Sequence, residues 1–194
     1  MTAEKIKYSI ECLKLVTGEF DKNDIPYWLE GGTLLGAYRG STLISYDYDM
    51  DIGVEIKYSD KIKSILENMI LENKFEKLPF AKWIDNKIYQ IKFKNQGEIE
   101  PLWLDVYFFD RVDNYLYSNF FTKDQSYKCK TNISQIEKLE LIRLGDFYFK
   151  CPTDVTKFLK IRFGDDFMIP QSRCNFLNKE WWEIDDNVGK QYLD

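Results

Sequence analysis

Histidine is absent from this 194-residue chain, and the absence excludes a good deal of chemistry. Ser-His-Asp and Cys-His nucleophilic systems, histidine general bases and histidine-containing zinc sites are all ruled out. Acid–base or metal chemistry must fall to carboxylates, which select hard cations such as Mg2+ or Mn2+. Cysteine is sparse and scattered: Cys12, Cys129, Cys151 and Cys174 form no C-x-x-C pair. They read as reduced thiols of a cytosolic protein. No run approaches the roughly 18 apolar residues of a membrane span. The charged N-terminus, "MTAEKIKYSIECLKLV", lacks the apolar stretch of a signal peptide. Basic charge is not in excess either. A net charge of −5 argues against a nucleic-acid binder, although a local cation cluster would still admit a small anionic substrate. There is no repeat, low-complexity tract or Pro/Gly/Ser linker. The 44% hydrophobic and 16% aromatic content is enough for a core, so the expectation is one soluble, cytoplasmic domain over residues 1–194.

Periodicity then places the elements. Ile6, Ile10, Leu13, Val16 and Phe20 recur at helical spacing over residues 4–20. Pro26 interrupts, and "YWLEGG" reads as a short buried strand running into a glycine turn, with "TLLGAYRG" a short helix ended by Gly40. "YDMDIGVEI" alternates as a strand. Ser59 or Asp60 is expected to cap a helix through about Glu72, with Ile62, Ile65, Leu66, Met69 and Ile70 on one stripe. "KIYQIKFK" (87–94) and "LWLDVYFF" (102–109) read as a hairpin, and "LELIRLGDFYFKCP" as a second hairpin around Gly145-Asp146. A last helix starts near Asp154 and stops at Gly164. This order predicts an α+β domain with a mixed β-sheet flanked by helices.

The chemistry concentrates in "GGTLLGAYRGSTLISYDYDMDIGV", residues 31–54. On a strand Asp47, Asp49 and Asp51 would share one face, with Tyr48, Met50, Ile52 and Val54 turned to apolar packing. Carboxylates so close raise one another's pKa unless a cation neutralises them. A solvated acidic edge is the plain reading. A calcium loop is excluded, because the EF-hand pattern wants Gly and Glu where this chain has Ile52 and Tyr58. A phosphoryl-transfer site predicts companions, and the chain has them. Gly31-Gly32-Thr33 would bring backbone N–H groups and a helix N-terminus to a phosphate, though tight-turn use is the commoner role of such glycines. Asp105 is a lone charge in an apolar strand, a position carboxylates rarely take unless paired or liganding. Arg39 is suited to a bidentate phosphate contact, or is a surface arginine. In "FAKWIDNKIYQIKFK", Lys82, Lys92 and Lys94 could face phosphates and Trp83 or Tyr89 could stack on a base or sugar. A solvated strand face with core aromatics is the alternative there. Arg162 is expected to pair with Asp165 and Asp166, and the Trp181-Trp182 pair to be core or interface.

These motifs resemble a known family. A strand ending in Gly-Gly-Thr, Asp-x-Asp on the next strand and a third acid on a later one is similar to the nucleotidyltransferase fold of polymerase-β type. More narrowly, the 31–54 stretch resembles the LicD/fukutin signature, G-T-L-L-G-x-x-R followed by W-D-D-D-I-D-I-G. "LDVYFFD" is similar to the third-acid strand of that family, and "CPTDVTKFLKIRFGDDFMIP" to its C-terminal helix. Three positions depart from the pattern: Tyr46 for Trp, Tyr48 for the middle Asp, and Phe108 where proline is usual. The role of Asp47 is left open.

The resemblance implies an Mg2+- or Mn2+-dependent phosphotransferase that moves a phospho-alditol or phosphocholine group. The donor would be a CDP-activated small molecule and the acceptor a glycan or lipid-linked saccharide. It implies Asp49, Asp51 and Asp105 as metal and catalytic residues, with Asp105 either a further ligand or the acceptor's base. Gly31, Gly32, Thr33 and Arg39 would lie at the donor phosphates, and Lys82 and Lys92 are the added candidates. Location would be cytoplasmic, including at the inner face of a membrane. Two rivals stay open: a nucleotidyltransferase moving NMP from an NTP to a small-molecule or protein hydroxyl, and a catalytically silent nucleotide- or glycan-binding module.

Overall fold

The computed structural model describes residues 1–72, 75–76, 88–93, 103–121, 126–170 and 182–184. The first helix, α1 (Ala3–Lys22), is capped by Thr2, whose Oγ1 accepts from the Lys5 amide at 3.2 Å. Its predicted stripe turns inward: Ile10, Leu13, Val16 and Phe20 are buried, and Ile6 packs against them from the edge. A short strand β1 (Tyr27–Leu29) leads into α2 (Gly31–Gly40), and β2 (Asp49–Glu55) follows. A 3-10 turn at Ile56–Tyr58 runs straight into α3 (Ser59–Leu71). That continuity corrects the expected cap. Tyr58 holds the cap position without a side-chain hydrogen bond, and Ser59 is already helical.

The β-rich half comprises β3 (Phe75–Glu76), β4 (Ile88–Phe93), β5 (Trp103–Val112), β6 (Tyr115–Phe121) and β7 (Ser126–Asn132). After them come the β8 (Glu140–Leu144) and β9 (Phe147–Cys151) hairpin, α4 (Val155–Phe163) and β10 (Trp182–Ile184). The β8–β9 turn has Gly145 at φ +60, the first central position that a tight hairpin turn reserves for glycine.

The sheet is mixed. β1 pairs antiparallel with β2, β2 runs parallel to β5, and β4 pairs antiparallel with the other edge of β5, with β3 beyond it. The far end of β5 continues into a second antiparallel array with β6, β7 and β10. Trp182 therefore lies on a sheet strand, while Trp181 falls outside the described residues. The parallel pairing requires a crossover, which α3 begins. Met50, Ile52, Val54, Leu104, Val106 and Phe108 are fully buried and join α1 and α3 residues in the core. The opposite face of the same two strands carries the acids.

Two sequence expectations need correction. Asp47 and Tyr48 precede the strand, which begins at Asp49, so Asp47 does not share a strand face with the other two aspartates. Tyr48 consequently points outward and is 51% exposed. The "YWLEGG" strand is likewise shorter than expected, because Glu30 ends it by capping α2 and both glycines belong to the helix.

Candidate functional site

The β2–β5 register puts Asp51 directly opposite Asp105, and Asp49 lies two residues upstream of Asp51 on the same face. One carboxylate oxygen from each of the three falls within 4.8 Å of the others. Asp51 is 8% and Asp105 6% exposed, so the cluster sits largely out of water. Burial, then the charges of Asp49, Asp105, Asp47 and Glu30, hold the Asp51 carboxyl well above the ordinary carboxylate range. Burial and Asp105 push the Tyr107 phenol up in the same way; its hydroxyl donates a long 3.5 Å hydrogen bond to Asp105 Oδ2. So concentrated a negative charge is stable at neutral pH if a proton or a cation joins it. Three convergent oxygen donors without nitrogen or sulfur suit a hard divalent cation.

The N-terminus of α2 closes the other side. Gly31 takes φ +51, and a Cβ there would come within 2.8 Å of Asp51 Oδ2. The missing side chain is what lets the helix start against the acid. A Cβ on Gly32 would collide with Asp47 Oδ2, so the loop aspartate lies against this turn as well. Thr33 Oγ1 accepts from the Asp51 amide at 2.8 Å, and the Glu30 amide donates to the Asp51 carbonyl at 3.1 Å. Gly31, Gly32 and Thr33 thus form the first turn of α2, where the leading amides have no intrahelical acceptors and the helix dipole favours an anion.

Arg39 is engaged elsewhere. Its Nη2 donates to the carbonyl of Phe167 and, at 3.2 Å, to that of Ile169, tying the end of α2 to the segment after α4. Lys92 lies on β4 opposite Trp103. Lys82, Trp83 and Lys94 lie outside the described residues.

A pair the sequence reading missed lies beneath the turn. Glu30 is fully buried and Arg162 is 2% exposed. Arg162 Nε reaches Glu30 Oε1 at 2.8 Å and Nη2 reaches Oε2 at 3.2 Å. Arg162 was expected to pair with Asp165 and Asp166; Lys160 pairs with Asp165 instead. The available signal was "LEGG", a carboxylate between an apolar strand and a glycine turn.

The model of the family described as "LicD/FKTN/FKRP, nucleotidyltransferase domain" matches residues 24–154. Among curated proteins, the human "Ribitol 5-phosphate transferase FKRP" is 22% identical over 161 residues, covering 79% of this chain and 30% of that protein. The human "Ribitol-5-phosphate transferase FKTN" is 25% identical over 167 residues, covering 84% and 34%. The chain therefore spans about a third of the length of these relatives. Among solved structures, the lincomycin-bound lincosamide antibiotic adenylyltransferase LnuA aligns with a TM-score of 0.44 at 16% identity, covering 77% of this chain and 83% of that one.

Proposed function

The chain belongs to the LicD/FKTN/FKRP nucleotidyltransferase-domain family, and from that premise we propose that it is a divalent-cation-dependent phosphotransferase. It would move a phospho-alditol, ribitol phosphate foremost, or phosphocholine from a CDP-linked donor to a glycan or lipid-linked saccharide hydroxyl. The observation that carries this reading is the convergence of Asp49, Asp51 and Asp105 against the N-terminus of α2. Acids alone would bind a cation; acids facing amide donors suit a cation together with a phosphate.

Asp49, Asp51 and Asp105 are the residues that would hold Mg2+ or Mn2+, which when bound supplies charge neutralisation at the donor phosphates. The first turn of α2 offers the amides of Gly32 and Thr33 to a phosphate oxygen, and Gly31 keeps the approach open. The acceptor oxygen attacks the donor phosphorus, the bond from phosphorus to the CMP oxygen breaks, and the acceptor proton passes to a carboxylate. Asp105 is the candidate for that proton if it is not wholly engaged as a ligand. Arg39 is read as a fastener of the segment after α4, on the strength of its two carbonyl contacts. Lys82 and Lys92 remain proposed donor contacts.

The test is incubation with CDP-ribitol, CDP-glycerol or CDP-choline, Mg2+ and oligosaccharide acceptors. CMP release that disappears in Asp49→Asn and Asp51→Asn supports the proposal. Pyrophosphate release from an NTP, with no turnover of CDP donors, points to the nucleotidyltransferase. Binding of neither donor in the presence of metal leaves the silent module.

A further inference from the structure

Arg162 lies on α4, beyond residues 24–154 that the family model matches, and its guanidinium reaches four acceptors. Two are the oxygens of Glu30, as described. The others are Thr131 Oγ1 at 2.5 Å and the Lys130 carbonyl at 3.3 Å, both on β7. Its face also lies 4.5 Å from the centroid of the Phe158 ring. One buried cation thus joins α4, the second β array and the residue that caps α2.

Glu30 passes the constraint on. Its Oε1 accepts from the Gly31 amide at 3.2 Å, which holds the positive-φ glycine at the helix start. Its Oε2 accepts from Trp28 Nε1 at 2.9 Å, and the Trp28 ring lies where a Cβ on Gly53 of β2 would be. Its own amide, with Thr33 Oγ1, brackets the Asp51 peptide on both sides. Alongside the β1–β2 and β2–β5 pairings, the hydrogen bonds that join the Asp51 peptide to the start of α2 therefore run through Glu30 and its first helix turn. A carboxylate that capped a helix for stability alone would need no such counter-ion. Asn, Ser or Asp serves that end on helix surfaces without a burial penalty.

We infer that Arg162 is a positioning residue: through Glu30 it sets the distance between the first turn of α2 and the Asp49–Asp51–Asp105 cluster, and hence cation affinity. This rests on the reading of that cluster in the proposed function. Arg162→Lys keeps the charge but cannot bridge both Glu30 oxygens, Thr131 and the Lys130 carbonyl together. Groups bonded directly to metal ligands typically change affinity 10–100-fold when altered, and Arg162 acts one residue further out, so the low end of that range is expected.

The experiment is a Mn2+ titration followed by electron paramagnetic resonance on the full chain, with a melting curve for each protein. Arg162→Lys is expected to melt cooperatively and to weaken Mn2+ binding on the order of tenfold. Thr131→Val, which removes one partner and leaves the ion pair, is expected to shift affinity in the same direction by a smaller factor. It decides the matter if the Lys variant does not fold. A lowered melting temperature with wild-type Mn2+ affinity in the folded variant overturns the inference and makes Arg162 a fold residue only. If the wild-type chain itself binds no Mn2+, the proposed function falls and the inference with it.

Discussion

Asp51→Asn offers the sharpest perturbation of the acidic cluster, because it removes one charge of three without changing shape. At 4.8 Å, two full charges repel by about 3 kcal/mol at an effective dielectric constant near 20. Asp51 escapes part of this by taking up a proton, since its carboxyl is held well above the ordinary range. The variant recovers whatever part of that repulsion the metal-free protein still bears, and in a chain of this size each 1 kcal/mol recovered raises Tm by roughly 2–4 °C. Metal acts in the opposite sense. A ligand at a hundred times its Kd stabilises by about 2.7 kcal/mol, so saturating Mg2+ should lift the wild-type Tm by roughly 5–10 °C. In Asp51→Asn that lift should fall below about 1 °C, because the amide offers no anionic ligand. Differential scanning calorimetry with EDTA and with Mg2+ measures all four values. The sign with pH follows from the raised folded pKa. The stabilisation is complete below the ordinary carboxylate value of 3.8 and is lost as pH rises towards the raised one. The metal-free wild type should therefore lose Tm across that window, and the variant should lack this component. A variant that is less stable without metal, or that keeps the Mg2+ shift, refutes the argument.

Gly31→Ala places a methyl against the Asp51 carboxylate at a φ of +51; a loss of about 1–3 kcal/mol in urea denaturation is expected, together with loss of the Mg2+ shift. Arg39→Leu removes the donors to the Phe167 and Ile169 carbonyls. It should cost about 1–2 kcal/mol of stability while leaving the donor KM unchanged, read from denaturation and steady-state kinetics side by side. Cys129 and Cys151, buried and with thiols pushed up to about 12, should resist alkylation at pH 8 in the native protein and react on unfolding, as peptide mass spectrometry would record. Asp105→Asn should lower kcat for CMP release by at least a hundredfold, whether Asp105 acts as ligand or as base.

Local signals carry a long way in this chain. A 3.6-residue apolar period is sufficient for α1 and α3, since each needs only one buried stripe. Gly145-Asp146 suffices for the β8–β9 hairpin because a tight turn makes its demand within four residues. The shared face of Asp49 and Asp51 follows from the pleat alone. The pairing of β6 with β7 left no comparable mark. Ser118 and Asn119 interrupt the pattern of β6, and the short Tyr127-Lys128-Cys129-Lys130 alternation of β7 does not say which strand it pairs with.

The sequence by itself determined which chemistry was possible: no histidine, two aspartates in strand spacing, a glycine pair at a helix start and a third acid in an apolar run. Those are properties of residue type and of neighbours a few positions apart, and backbone geometry converts them directly into faces and turns. Only the tertiary structure decided which distant groups meet. The parallel register sets Asp105 opposite Asp51. The chain path leaves Asp47 off the strand and against Gly32. The packing of α4 carries Arg162 across 132 positions to Glu30. Such meetings depend on how whole elements pack, and no local pattern encodes the register of one element against another.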